Sequence, residues 1–192
     1  MPTPNRAALD FLLTRRSRPA KTLGAPGPDR AALTELLTAA ARVPDHGKLV
    51  PFRFIMVDDA ARPRLAALTH ERAMARGEPP EKAEKAAAAF GHAGALVAVA
   101  AVAQPSATIP DWEQHMAAGN ACLSLLNAAL AAGWGANWLT GFTATDATFL
   151  EAAFGLAPPA FVAGYIHIGT ETLPPKDRTR PDLADILTVL ER

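Results

Sequence analysis

The 192 residues predict an α+β fold, a mixed central sheet flanked by helices, in one domain spanning 1–192. Three observations predict it. Four short segments are apolar enough to be strands, six or seven segments repeat at helical spacing, and the two kinds follow one another without strict alternation.

Taken in order, Ala8, Leu9, Leu12 and Leu13 mark a helix within residues 5–14. Leu33, Leu36 and Leu37 share one face of a helix over 29–42, which Pro44 stops. Residues 52–57 read as a strand ended by Asp58 and Asp59. Residues 60–76 and 81–90 read as helices parted by Gly77, Pro79 and Pro80. Residues 95–102 stay apolar without polar alternation, the pattern of a strand buried on both faces. A long helix fits 111–132, with Gly133 placed to cap it. A short strand follows over 134–139. A short helix over 146–154 lies between Thr145, a candidate N-cap, and Gly155. Residues 161–168 form a strong strand, and 181–190 a helical or partly helical tail within a C-terminal segment 171–192. From Met116 to Ala132 the long helix carries Leu123, Leu125, Leu126 and Leu130 on several faces. It therefore needs burial nearly all round, in a central position or at a subunit interface.

Composition narrows the function. Nineteen basic and nineteen acidic side chains cancel, which removes a general electrostatic case for nucleic acid or an anionic membrane but leaves room for one small anion at a local basic cluster. The single cysteine, Cys122, cannot form an intramolecular disulfide and implies no oxidising compartment. In an apolar helix it reads as a small buried hydrophobe. The stretch Met1–Leu13 is short and broken by Asp10, unlike a signal peptide. Ala86–Ala103, the longest apolar region, is interrupted by Gly91, His92 and Gly94 and reads as a helix end followed by a strand, not a membrane span. The cytoplasm is the expected location.

Four segments could carry chemistry. Arg15-Arg16-Ser17-Arg18 offers guanidinium forks and a hydroxyl suited to a phosphate, although a solvated basic helix end has the same look. Arg42-Val43-Pro44-Asp45-His46-Gly47-Lys48 is a donor-rich loop between a helix and a strand, or a turn in which Asp45 pairs a neighbouring base. Residues 133–141 hold two tryptophans and three glycines, which suit a flat ligand or a tight strand entrance with tryptophan in the core. Lys176-Asp177-Arg178-Thr179-Arg180 again offers bases, or a solvated tail. There is no Walker A sequence, no dinucleotide-binding glycine fingerprint after a strand and no nucleophile elbow. None of the five histidines pairs with another at zinc-ligand spacing, and His167 reads as structural.

Together, in this order and spacing, these segments resemble the nitroreductase family, and its short single-domain members most. The matching marks are Arg15-Arg16-Ser17, Arg42-Val43-Pro44-Asp45-His46, Pro51-Phe52, Pro110-Asp111-Trp112-Glu113, Gly133 to Gly141 and Gly164-Tyr165-Ile166-His167-Ile168-Gly169-Thr170. The resemblance implies a nitroreductase-like fold, an intertwined homodimer and FMN at the dimer interface. It implies ping-pong hydride transfer from NADH or NADPH to a small-molecule electron acceptor, a nitroaromatic, quinone or similar compound, with no catalytic side chain required. By the same resemblance Arg15, Arg16 and Ser17 would hold the FMN phosphate and the ribityl chain or ring edge. Arg42 and His46 would reach the flavin of the other subunit, and Trp138, Leu139 and Thr140 would lie along its ring. Arg178 and Arg180 fall where many relatives place C-terminal bases on the phosphate. Residues 58–90 would be the variable segment over the active site. Val50, Phe52 and Leu139 depart from the family, which often has Gln, Trp and Arg or Ser at or near these places. The alternatives are a flavin-binding or regulatory module without turnover, and a relative with other flavin chemistry, such as flavin destruction or reductive dehalogenation.

Overall fold

The strand Phe161–Glu171 (β5) organises the computed structural model, which describes residues 3–92 and 94–191. The ends of the expected 1–192 domain (Met1, Pro2 and Arg192) and Ala93 in the apolar stretch lie outside the described residues. On one side β5 pairs with β3 (Ala95–Ala101), which pairs in turn with β2 (Phe52–Val57). On the other it pairs with β4 (Gly135–Leu139), placing Leu139 opposite Tyr165 and Asn137 opposite His167. The two-residue β1 (Leu23–Gly24) pairs with the far end of β5. Every ladder among the described residues is antiparallel, where the sequence reading expected a mixed sheet. The reason is topological: β5 enters between β3 and β4 and runs against both.

The helices are α1 (Arg6–Thr14), α2 (Arg30–Ala40), α3 (Arg62–Ala75), α4 (Pro80–Ala88), α5 (Asp111–Ala131), α6 (Ala147–Phe154) and α7 (Leu183–Ile186). Alternation along the strands sorts them onto two faces. Val97, Val99, Ile166 and Ile168 pack against Leu33 and Leu36 of α2 and Ala118, Ala121, Cys122 and Leu125 of α5. Leu96, Ala98 and Tyr165 face the other way, toward Leu65 of α3, Phe90, and Phe149 and Leu150 of α6. The unbroken apolar run of β3 is thus explained by cover on both faces. Asn5, Asp29 and Asp146 start α1, α2 and α6 by accepting backbone N–H bonds from Ala8, Ala32 and Phe149. The N-cap of α6 is therefore Asp146, one residue beyond the expected Thr145.

Three elements lack cover in the single chain. Helix α1 buries no residue. The outer face of α5 exposes Trp112 (59%), Met116 (61%) and Leu123 (43%), so the expected all-round burial is met on its inner face only. In the tail, expected to be helical or partly helical over 181–190, only Leu183–Ile186 is helical, and Leu183, Ile186, Leu187, Val189 and Leu190 are exposed. Among the described residues no helix is long and apolar enough to cross a membrane.

Candidate functional site

Past the C-terminal end of α5, the segment after α1 crosses the free edge of β4. The Arg18 N–H donates to the Ala136 carbonyl at 2.8 Å, and Asn137 Nδ2 donates to the Arg18 carbonyl at 2.6 Å. Gly135 permits the crossing: a Cβ there would lie 2.5 Å from Leu23 Cδ2. These ties hold Arg15, Arg16 and Arg18 beside Leu130, Gly133 and Trp134 around one cavity.

The charge there is unbalanced. Arg18 pairs with Glu171 at 2.8 Å, and Arg15 donates to Ser17 Oγ at 3.0 Å. Arg16 donates to the Lys176 carbonyl at 3.1 Å and lies a loose 3.9 Å from Asp177. The Nε atoms of Arg15 and Arg16 are buried and without a hydrogen-bond partner among the described residues. Burial first, then the charges of Arg180, Arg16 and Arg18, hold the Arg15 guanidinium below its ordinary pKa. Four guanidiniums thus repel one another around donors that have nothing to bond, an arrangement that an anionic group would relieve. Among the described residues no cluster of His, Cys, Asp or Glu could hold a metal ion.

The other expected residues divide. Arg180 joins this cluster, while Arg178 is exposed and its backbone N–H bonds Asp177. The Trp138 indole turns to the α5 side, where it covers Gly164 and donates to the Ala163 carbonyl at 3.1 Å. Trp138 can therefore offer a ligand its backbone at the strand edge rather than its ring. Leu139 and Thr140 line a pocket on the opposite face of the sheet. Arg42 and His46 stand apart from all of these. His46 Nδ1 lies 2.8 Å from Glu113 at the start of α5. From Glu113 to Leu130 the helix advances roughly 25 Å at about 1.5 Å per residue.

The loop that carries His46 is strained. Gly47 (φ 71°), Lys48 (φ 55°) and Val50 (φ 50°) are all left-handed, and for β-branched Val50 that conformation is costly. The Asp45 carboxylate holds it by accepting from the Leu49 and Val50 N–H groups at 3.2 and 2.8 Å. Arg18 and Glu171 were absent from the expected site. Arg18 belongs to the basic run already noted, so that signal was on hand, whereas nothing in the sequence singles out Glu171.

A model of the nitroreductase family matches residues 12–170. The Escherichia coli (strain K12) protein named "Putative NAD(P)H nitroreductase YdjA" is 32% identical over 166 residues, covering 86% of this chain and 89% of its own. The Haemophilus influenzae (strain ATCC 51907 / DSM 11121 / KW20 / Rd) protein named "Putative NAD(P)H nitroreductase" is 35% identical over 164 residues, covering 85% and 88%. A nitroreductase-like family protein from Bacillus cereus superposes with a TM-score of 0.78 at 22% identity, covering 100% and 99% of the two chains. A Desulfovibrio desulfuricans protein solved as a "putative nitroreductase in complex with fmn" superposes at 0.73 with 25% identity, covering 98% and 99%. The chain is an α+β oxidoreductase. It belongs to the nitroreductase family.

Proposed function

We propose that the protein is an FMN-dependent NAD(P)H oxidoreductase that reduces nitroaromatic, quinone or similar acceptors, acting in the cytoplasm as a homodimer with shared flavin sites. The observation that carries this reading is the guanidinium cluster with its orphaned Arg15 and Arg16 Nε donors. A phosphate monoester brings about two negative charges near neutral pH, and its oxygens match guanidinium forks. Arg15, Arg16, Arg18 and Arg180 would hold it, with Ser17 adding a hydroxyl. FMN, when bound, supplies hydride transfer between the nicotinamide and the acceptor. The chain's part is to bind and orient: the edge of β4 at Trp138, Leu139 and Thr140 would flank the ring, and no side chain need move a proton. Arg178 is assigned no contact.

The length of α5 supports sharing between subunits. His46 lies at one end of this helix and the arginine cluster at the other, with the exposed Arg42 just past α2, four residues before His46 in the chain. In a two-fold dimer with the two α5 helices antiparallel along the Trp112, Met116 and Leu123 stripe, the partner subunit's Arg42 and the partner subunit's His46 come to the arginine end. Gly119, against which a Cβ would meet nothing within 4 Å, leaves room for that approach. Such pairing would also cover exposed apolar surface that a monomer would leave in water. The FMN complex of the D. desulfuricans relative is consistent with this choice of cofactor.

The test is Arg15→Ala. Loss of a charge-assisted contact should weaken FMN binding about 10- to 100-fold, read from flavin absorbance after gel filtration. Because the same change relieves repulsion among arginines, the flavin-free protein should melt no lower than wild type. Undiminished flavin binding, or a lower melting temperature of the flavin-free form, would contradict the phosphate role.

A further inference from the structure

On the face of the sheet away from α5, a pocket of about 420 Å³ opens between α4, the end of β4 and the middle of β5. Its walls are Phe90, Leu139, Phe142 and Tyr165, with Phe90 and Tyr165 edge to face at 5.5 Å. Such a volume and lining are those of a small-molecule site. Two of the hydroxyls in the lining, those of Tyr165 and Thr69, are already engaged. Tyr165 donates to the Thr143 carbonyl at 3.2 Å, and Thr69 to the Leu65 carbonyl at 2.7 Å. His167, also in the lining, is only 2% exposed, and its Nδ1 has no hydrogen-bond partner among the described residues. The charged side chains that line the pocket are both cations, Lys82 and Lys85. Lys82 reaches only a loose, exposed pair with Glu78 at 3.8 Å. Lys85 has no carboxylate within ion-pair distance among the described residues, and Glu81 and Glu84 of α4 do not line the pocket.

We propose that this pocket seats a flat aromatic ring carrying a carboxylate or sulfonate, the ring among Phe90, Phe142 and Tyr165 and the anion between Lys82 and Lys85. Aromatic walls favour a ring through edge and stacked contacts. Two ammonium groups with no carboxylate in the lining select the sign of its substituent. A cationic or neutral analogue of the same shape gains the apolar contact alone. Leu139 and Thr140 belong both to this pocket and to the strand edge assigned to the flavin. That such a molecule serves as the electron acceptor therefore rests on the flavin reading, whereas its binding does not.

Isothermal titration calorimetry of the purified protein with 2-naphthoate and with 2-naphthalenemethanol tests the proposal. Naphthoate should bind about tenfold more tightly than the alcohol, as expected of one or two exposed ion pairs. The double variant Lys82→Glu, Lys85→Glu, altered only at exposed positions of α4, should bring naphthoate down to the alcohol's affinity and leave the alcohol unchanged. Ala86→Trp, which fills the pocket, should abolish both, with circular dichroism checking its fold. Failure of naphthoate to bind, equal affinity for the two probes, or naphthoate binding indifferent to the lysine reversal would overturn the proposal. Calorimetry needs no chromophore, so a protein that binds naphthoate but no flavin sinks only the flavin reading. One that keeps flavin but ignores naphthoate sinks only this one.

Discussion

His167 is an imidazole on β5 with water excluded. Burial first, then the positive potential of nearby His92 and Arg62, pushes its pKa down to about 4. Unfolded, the same group titrates near 6.5. Between those two values the unfolded chain binds the extra proton, so stability falls as pH falls from about 6.5 to about 4, by about 3 kcal/mol from this residue. His92, lowered in the same direction, adds to the slope. In His167→Gln, urea unfolding followed from pH 7 to pH 4 should show a clearly flatter loss than wild type, and an unchanged slope would show that the ring is not held neutral by the fold. Cys122, buried with its thiol pushed up to about 12, is the inert hydrophobe its sequence setting suggested. At this scale the sequence was legible where neighbours in the chain are neighbours in space. Arg15, Arg16 and Ser17 come as one block. It could not say that Arg180 joins them across more than 160 residues while Arg178 does not, nor that Glu171 closes on Arg18. The inward turn of Trp138 follows from strand alternation, but only once the pairing with β5 decides which face is core.

Asp146 shows how one side chain fixes two helices. It caps α6 through the Phe149 N–H at 2.8 Å and takes Arg72 of α3 through both carboxylate oxygens at 3.2 Å. Burial alone would raise its pKa. The Arg72 hydrogen bonds, the Phe149 N–H and the charges of Arg72 and Arg76 outweigh that and hold the carboxyl below its ordinary value. Its stabilisation is therefore complete above about pH 4 and fades as the carboxyl is protonated in acid. Asp146→Ala, which leaves a guanidinium without its buried partner, should cost about 3 kcal/mol in chemical denaturation. Asp146→Asn, which keeps a cap, should cost less, and equal costs would discount the ion pair. Elements were more legible than residues. All four expected strands form, because a buried strand needs an apolar run whatever its partners. Their order did not follow, since the insertion of β5 between β3 and β4 is a long-range choice that local patterns do not encode. The tail, expected to be helical or partly helical, is partly helical, since apolar spacing cannot tell burial on the same chain from burial elsewhere.

At the scale of the molecule, the uncovered parts are the informative ones. Helix α1, the α5 stripe and the tail leave large apolar side chains exposed in one chain, and a second copy would cover them. Charge placed in the stripe should therefore act on assembly before folding: Leu123→Glu should sediment as a monomer and lose flavin with the partner, and a dimeric, yellow variant would move the interface elsewhere. The central claim is that each flavin site takes Arg15 from one subunit and Arg42 from the other. Arg15→Ala and Arg42→Ala proteins, each deficient alone, can be mixed under conditions that exchange subunits, and bound flavin and NAD(P)H oxidation measured. Random exchange makes half the dimers mixed, each with one intact site, so recovery should reach about one quarter of wild type. No recovery at all, with subunit exchange verified, would contradict the shared site and return both arginines to a single chain.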